Sequence, residues 1–73
     1  MPKLCSARTI THTLKQFGFD IVSQKGSHMK LRGIVDGKLL TVIVPNHKEI
    51  ALGTFKSILT QANLTKIEFE SKL

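Results

Sequence analysis

A chain with three histidines and a single cysteine among 73 residues has a short list of chemistries open to it. Histidine is the side chain whose ordinary pKa, about 6.5, lets it take up and release protons near neutral pH. The three are His12, His28 and His47, and their spacing matches no metal-ligand pattern. Cys5 stands alone, so neither an intrachain disulfide nor a cysteine-based zinc site can form, and no partner base for a thiol is evident. Metal-dependent nucleases collect carboxylates, but Asp20 falls at a helix–strand junction and Asp36 in a turn. Gly26 and Gly33 form no phosphate-loop motif. No metal and no cofactor is therefore expected. What remains is proton transfer by histidine, assisted by cations.

Cations are plentiful. Eleven Lys and Arg oppose five Asp and Glu, a net charge of +6. Residues 1–48 carry all of that excess, whereas the three lysines and three glutamates of residues 49–73 cancel. A localised basic excess on a small domain points to a polyanion, nucleic acid first; the plainer alternative is a solvated lysine-rich surface. Cleavage of RNA suits such a chain. The ribose 2′-hydroxyl attacks the adjacent phosphate, a histidine moves the protons, and cations offset the charge on the phosphorane.

Seventy-three residues make a single domain, 1–73, that buries only about 60% of the surface its unfolded chain exposes. So thin a core favours work done on the surface over a deep pocket. The longest apolar stretch, Leu39 to Val44, is far too short to cross a bilayer, and the N-terminus lacks the layout of a signal peptide. No membrane association and a cytoplasmic location are expected.

The elements that would position the histidines can be read from periodicity. Leu4, Ala7, Ile10, Leu14 and Phe17 recur at spacings of three and four, which predicts a helix over about 6–17. Ser6 is its N-cap, Gly18 its left-handed terminator, and His12 lies on its solvent side. Phe19 to Ser23 alternates like a short strand. Two extended runs follow, about 28–35 and 38–44, around Asp36-Gly37, a strong signal for a type I′ hairpin. That turn sets Val35 opposite Lys38, and hence Met29 opposite Val44, Leu31 opposite Val42 and Gly33 opposite Leu40 on one apolar face. His28, Lys30 and Arg32 then project from the other face, with His28 opposite Pro45 and His47 close enough to approach it.

Leu52, Phe55, Ile58, Leu59 and Ala62 predict a second helix over roughly 51–62, ended near Asn63, and Thr65 to Glu68 has the spacing of a capping box for a short helix over 66–72. The fold class is α+β: an α-β-β-β-α order, with both long helices on one face of a three-stranded antiparallel sheet and the other face open and basic. On these grounds alone, a single strand histidine is more often structural than catalytic.

Three segments add specificity. Gln24-Lys25-Gly26-Ser27-His28 precedes the hairpin, Val44-Pro45-Asn46-His47 follows it, and Gly53-Thr54-Phe55-Lys56-Ser57-Ile58-Leu59-Thr60-Gln61-Ala62-Asn63-Leu64 lies downstream. Together they resemble the HicA toxins of HicA–HicB toxin–antitoxin pairs. The family pattern is Gly-Ser-His before the second strand, Val-Pro-x-His after the third, and a Gly-Thr-Leu…Ile-Leu…Ala-Gly-Leu helix. Phe55 replaces the usual Leu, and Asn63 replaces a Gly at a helix end, where Asn also tolerates the left-handed conformation.

The resemblance implies a fold like a double-stranded-RNA-binding domain (dsRBD-like). It implies a small metal-independent endoribonuclease that cleaves mRNA and shuts down translation. His28 would be the catalytic histidine, presented by the Gly26-Ser27 turn, and a HicB-type antitoxin would cover it. Around it, Lys30 and Arg32 would hold phosphate and Lys25 would draw RNA in. Ser27 would shape the turn or touch phosphate, and His47 is the candidate second proton-transfer group. The alternative is a non-catalytic RNA-binding module of the same fold.

Overall fold

The computed structural model describes residues 5–73 and runs α1 (Ala7–Gln16), β1 (Asp20–Lys25), β2 (His28–Val35), β3 (Lys38–Pro45), α2 (Leu52–Ala62) and α3 (Lys66–Glu70). Leu4, the first member of the expected helical stripe, lies outside the described residues.

α1 begins where Ser6 sits in extended conformation and its hydroxyl accepts the Thr9 N–H at 3.1 Å. It ends where Gly18 takes a φ of +94°, the Gly18 N–H donating to the Lys15 carbonyl and the Phe19 N–H to that of Leu14. That pair of bonds is a Schellman motif. Ala7, Ile10 and Leu14 are buried from the expected stripe, and Phe17 is half-buried at the cap. Two polar residues share the buried side: Thr11 and Thr13 donate their hydroxyls to the carbonyls of Arg8 and Thr9, which removes the cost of burying them.

The sheet is antiparallel with order β1-β2-β3. Asp36 and Gly37 both have positive φ, 51° and 78°, as a type I′ turn requires. Pairing runs from His28 opposite Pro45 to Val35 opposite Lys38, the expected register without a slip. Met29, Leu31, Val42 and Val44 are buried beneath the helices, while His28, Arg32, Ile34, Leu39, Thr41 and Ile43 face outward and Lys30 is half-buried.

β1 departs from the expected alternation. It starts at Asp20 rather than Phe19, all six of its residues are exposed, and its register shifts between Ile21 and Ser23. The bulge adds one unpaired residue, so alternation cannot persist along this edge strand. Phe19 instead turns inward ahead of the strand and is fully buried.

α2 docks through Ile58, Leu59 and Ala62. Leu52, expected on the same stripe, is 51% exposed, because it opens the helix just after the Ala51 cap and projects before the helix meets the sheet. Gln61 turns back and accepts the Ile43 N–H at 2.8 Å, satisfying one backbone donor on the outer edge of β3. Asn63 ends the helix in the left-handed conformation, φ 56°. α3 is shorter than the expected 66–72, stopping at a Ser71 cap, and it is pinned by Phe69, fully buried with its ring edge-on to Phe55 at 5.2 Å. Phe55 therefore has an aromatic partner that a leucine there would lack.

Candidate functional site

Two backbone devices converge on His28. Lys25 pairs with His28 across β1 and β2, so Gly26 and Ser27 form a two-residue turn. Gly26 has a φ of +59° and Ser27 does not share the positive sign, the pattern of a type II′ turn with glycine in its first central position. This turn stands His28 at the first position of β2, facing outward and exposed. The second device is the loop after β3. The Asn46 N–H donates to the Ser27 carbonyl at 2.6 Å, and the Ala7 N–H donates to the His47 carbonyl at 2.9 Å. The Ile50 N–H donates to the Cys5 carbonyl at 2.8 Å. The β1–β2 turn, the loop after β3 and the start of α1 thus meet at one end of the molecule.

Cross-strand neighbours define the electrostatics of the open face. Lys25 stands opposite His28, Ser23 opposite Lys30, and Asp20 opposite Arg32. Side chains two residues apart on a strand are separated by about 6.8 Å, so Lys30 lies one pleat and Arg32 two pleats from His28. On the sheet, the cations beside the histidine are Lys25 and Lys30. Arg32 faces a carboxylate instead, which offsets its charge.

The open face is not basic throughout. Beyond Arg32 it carries Ile34 and Leu39, a cross-strand pair 69% and 65% exposed, while Ile43 lies toward the other end, opposite Lys30. One end of the face is basic with a histidine; the other is apolar.

Among the described residues, no three His, Cys, Asp or Glu side chains gather as a group able to hold a metal ion, and no helix is long and apolar enough to cross a membrane.

Residues 7–64 match the family model described as the HicA toxin of bacterial toxin-antitoxin systems, a span that runs from the first residue of α1 to just past the end of α2. The chain belongs to the HicA toxin family. It is thus a toxin of a toxin–antitoxin system, from the family paired with HicB-type antitoxins. No curated protein matches the chain. The helices, strands and sheet are those of a dsRBD-like α-β-β-β-α fold.

Within this HicA chain, His28, Lys25, Lys30 and Arg32 share the open face, and Gly26 and Ser27 make the turn before it. His47 lies on the adjoining loop, exposed, with its backbone N–H bonded to the Pro45 carbonyl and its own carbonyl to Ala7. Two features of the face went unread in the sequence. Asp20 faces Arg32, which the β1 bulge hid by breaking the alternation that would have carried the register across. The Ile34–Leu39 pair did follow from the hairpin register, but each residue adjoins an apolar one, Val35 or Leu40, in a run that reads as core.

Proposed function

We propose that this HicA-family toxin is an endoribonuclease that cuts mRNA, and that His28 is its proton-transfer residue. The observation that carries the reading is His28 itself. It is exposed at the first position of β2, raised by a glycine turn, and flanked by Lys25 across the ladder and Lys30 one pleat on. A histidine kept only for packing would be buried; this one meets solvent with cations on two sides.

In this reading His28 takes the proton of a ribose 2′-hydroxyl as O2′ attacks the adjacent phosphorus. The P–O5′ bond breaks, and the departing 5′ oxygen receives a proton from an acid. The products are a 2′,3′-cyclic phosphate and a 5′-hydroxyl. Lys25 and Lys30 stabilise the negative phosphorane oxygens, and Arg32 holds a phosphate farther along the strand. His47 is the candidate acid, since the Asn46–Ser27 hydrogen bond ties its loop to the turn that carries His28. No step calls for a metal or a cofactor. Work is cytoplasmic, where mRNA is met.

The HicB-type antitoxin covers the same face. Its gain comes from the apolar end, where Ile34 and Leu39 offer area to bury, while its acidic groups meet Lys25 and Lys30.

The test uses purified protein and its His28→Ala variant on a long RNA in the presence of EDTA. The wild type should cut, and the variant should lose about 10²–10⁴-fold in rate, the usual contribution of a general acid–base group. Equal cutting by both removes His28 from the chemistry, and loss of cutting on chelation alone removes the metal-free mechanism. RNA binding without cutting by the wild type would favour a non-catalytic RNA-binding module.

A further inference from the structure

The basic excess is not confined to the open sheet face. Arg8, His12 and Lys15 recur at i, i+4 and i+7 on α1, so they form one stripe, and all three are exposed. The helix contains no acidic residue. Its buried side, Ala7, Ile10 and Leu14, faces the core, so the stripe points away from the sheet. It lines a groove of about 410 Å³ that Leu73 walls on the other side. Nothing in the reaction ascribed to His28 uses this groove.

The stripe and the histidine face point in opposite directions, yet they are joined round one end of the molecule. Asn46 is hydrogen-bonded to Ser27 beside His28, and His47 to Ala7 beside Arg8. The loop between carries Lys48, with Glu49 as its one acid. Cations therefore follow one another from Lys30 and Lys25, past Lys48, to Arg8 and Lys15.

We propose that the outward face of α1 is a second phosphate-binding surface, which holds the RNA segment flanking the one presented to His28, and that the RNA is single-stranded. This rests on the ribonuclease reading and deepens it. The strandedness follows from the turn in the track. A molecule 36 Å in its longest dimension can be wrapped by a flexible single strand. A nucleic-acid double helix, stiff over about 50 nm in the case of DNA, cannot bend from one face to the opposite one over so short a path. The stripe itself is about 10 Å long at 1.5 Å per residue, room for a short run of phosphates.

The experiment measures binding in the His28→Ala background, so that RNA is not consumed. Single-stranded RNAs of about 4 and about 16 nucleotides, the range a small module covers, are titrated over a series of salt concentrations. A duplex of the longer one serves as a third probe. Adding Arg8→Ala and Lys15→Ala, which keep good helix formers on α1, should weaken binding of the longer strand by tenfold or more. It should also reduce the slope of log K against log salt by about 1.4, at about 0.7 for each phosphate left without its cation. The weakening should be confined to the longer strand, and the duplex should bind less tightly than the strand. An unchanged slope, equal weakening on both lengths, or a duplex bound as tightly as the strand would overturn the proposal. If the His28→Ala protein binds the short strand but gains nothing from the longer one, the second surface fails and the His28 face stands. If it binds no RNA at all, both fall together. Circular dichroism of the variants checks that α1 is intact.

Discussion

Gly33 carries no side chain because none would fit: a Cβ there would lie 2.8 Å from the Phe19 ring and 2.9 Å from the Gly18 carbonyl oxygen. Neither neighbour can yield easily. Phe19 is fully buried, and Gly18 is held by the Schellman bonds that end α1. Gly33→Ala should therefore destabilise the fold by about 1–3 kcal/mol, the usual cost of overpacking, read as a lower urea midpoint with an unchanged slope. A midpoint equal to the wild type would mean that Phe19 repacks freely. At the site, the individual pairings rank the cations. Lys25 stands opposite His28, whereas Arg32 stands opposite Asp20. Lys25→Ala should lower kcat/KM for RNA more than Arg32→Ala, in parallel assays at one ionic strength. The reverse order would show that the face opposite His28 is not where phosphate charge is met.

α3 is the clearest case of an element stabilised by its own first turn. Only five residues long, it is too short to hold helical structure alone. Two reciprocal bonds compensate: the Thr65 hydroxyl accepts the Glu68 N–H at 3.1 Å, and the Glu68 carboxylate accepts the Thr65 N–H at 2.9 Å. Phe69 then anchors the turn against Phe55. Thr65→Ala should cost about 1 kcal/mol in urea unfolding. The backbone N–H and then the hydroxyl of Thr65 hold the Glu68 carboxyl below its ordinary range. Its folded-state pKa is the lower one, so its contribution is complete above the unfolded value, about 4.3, and is lost as pH falls through the folded one. Glu68→Gln should accordingly differ from wild type most at neutral pH, the difference shrinking below about pH 4.3. A stability gap between the two that is constant from neutral to strongly acid pH would exclude this box as a titrating device.

For the molecule as a whole, a thin core leaves three surfaces, which the proposed reading divides between two partners. The sheet face is basic at its histidine end and apolar at the hairpin end, and α1 turns a second basic surface the other way. Such a division would let a HicB-type antitoxin gain affinity from apolar area while it covers the charges proposed to hold RNA. Ile34 and Leu39 are mostly exposed, so Ile34→Thr with Leu39→Thr removes apolar area while keeping residues that strands accept. Folding stability should move by no more than about 0.5 kcal/mol per site, as for surface changes, whereas antitoxin affinity should fall by tenfold or more in calorimetry and RNA cleavage should persist. Undiminished antitoxin binding would place that partner elsewhere.

Much of the molecule follows from local rules acting on neighbouring residues. Ser6 and Gly18 delimit α1 because capping chemistry is local, and Asp36-Gly37 sets the hairpin register because a two-residue turn leaves the strands one way to pair. From that register alone, His28, Lys30 and Arg32 share a face, and the Gly26-Ser27-His28 and Val44-Pro45-Asn46-His47 segments carry the family likeness. What required tertiary structure was everything that depends on which distant elements meet. The bulge in β1 turns Asp20 toward Arg32, the loop after β3 ties Ser27 to the start of α1, and Gln61 reaches the edge of β3. Neither periodicity nor turn chemistry encodes such meetings, because each is chosen by how whole elements pack once the core has closed.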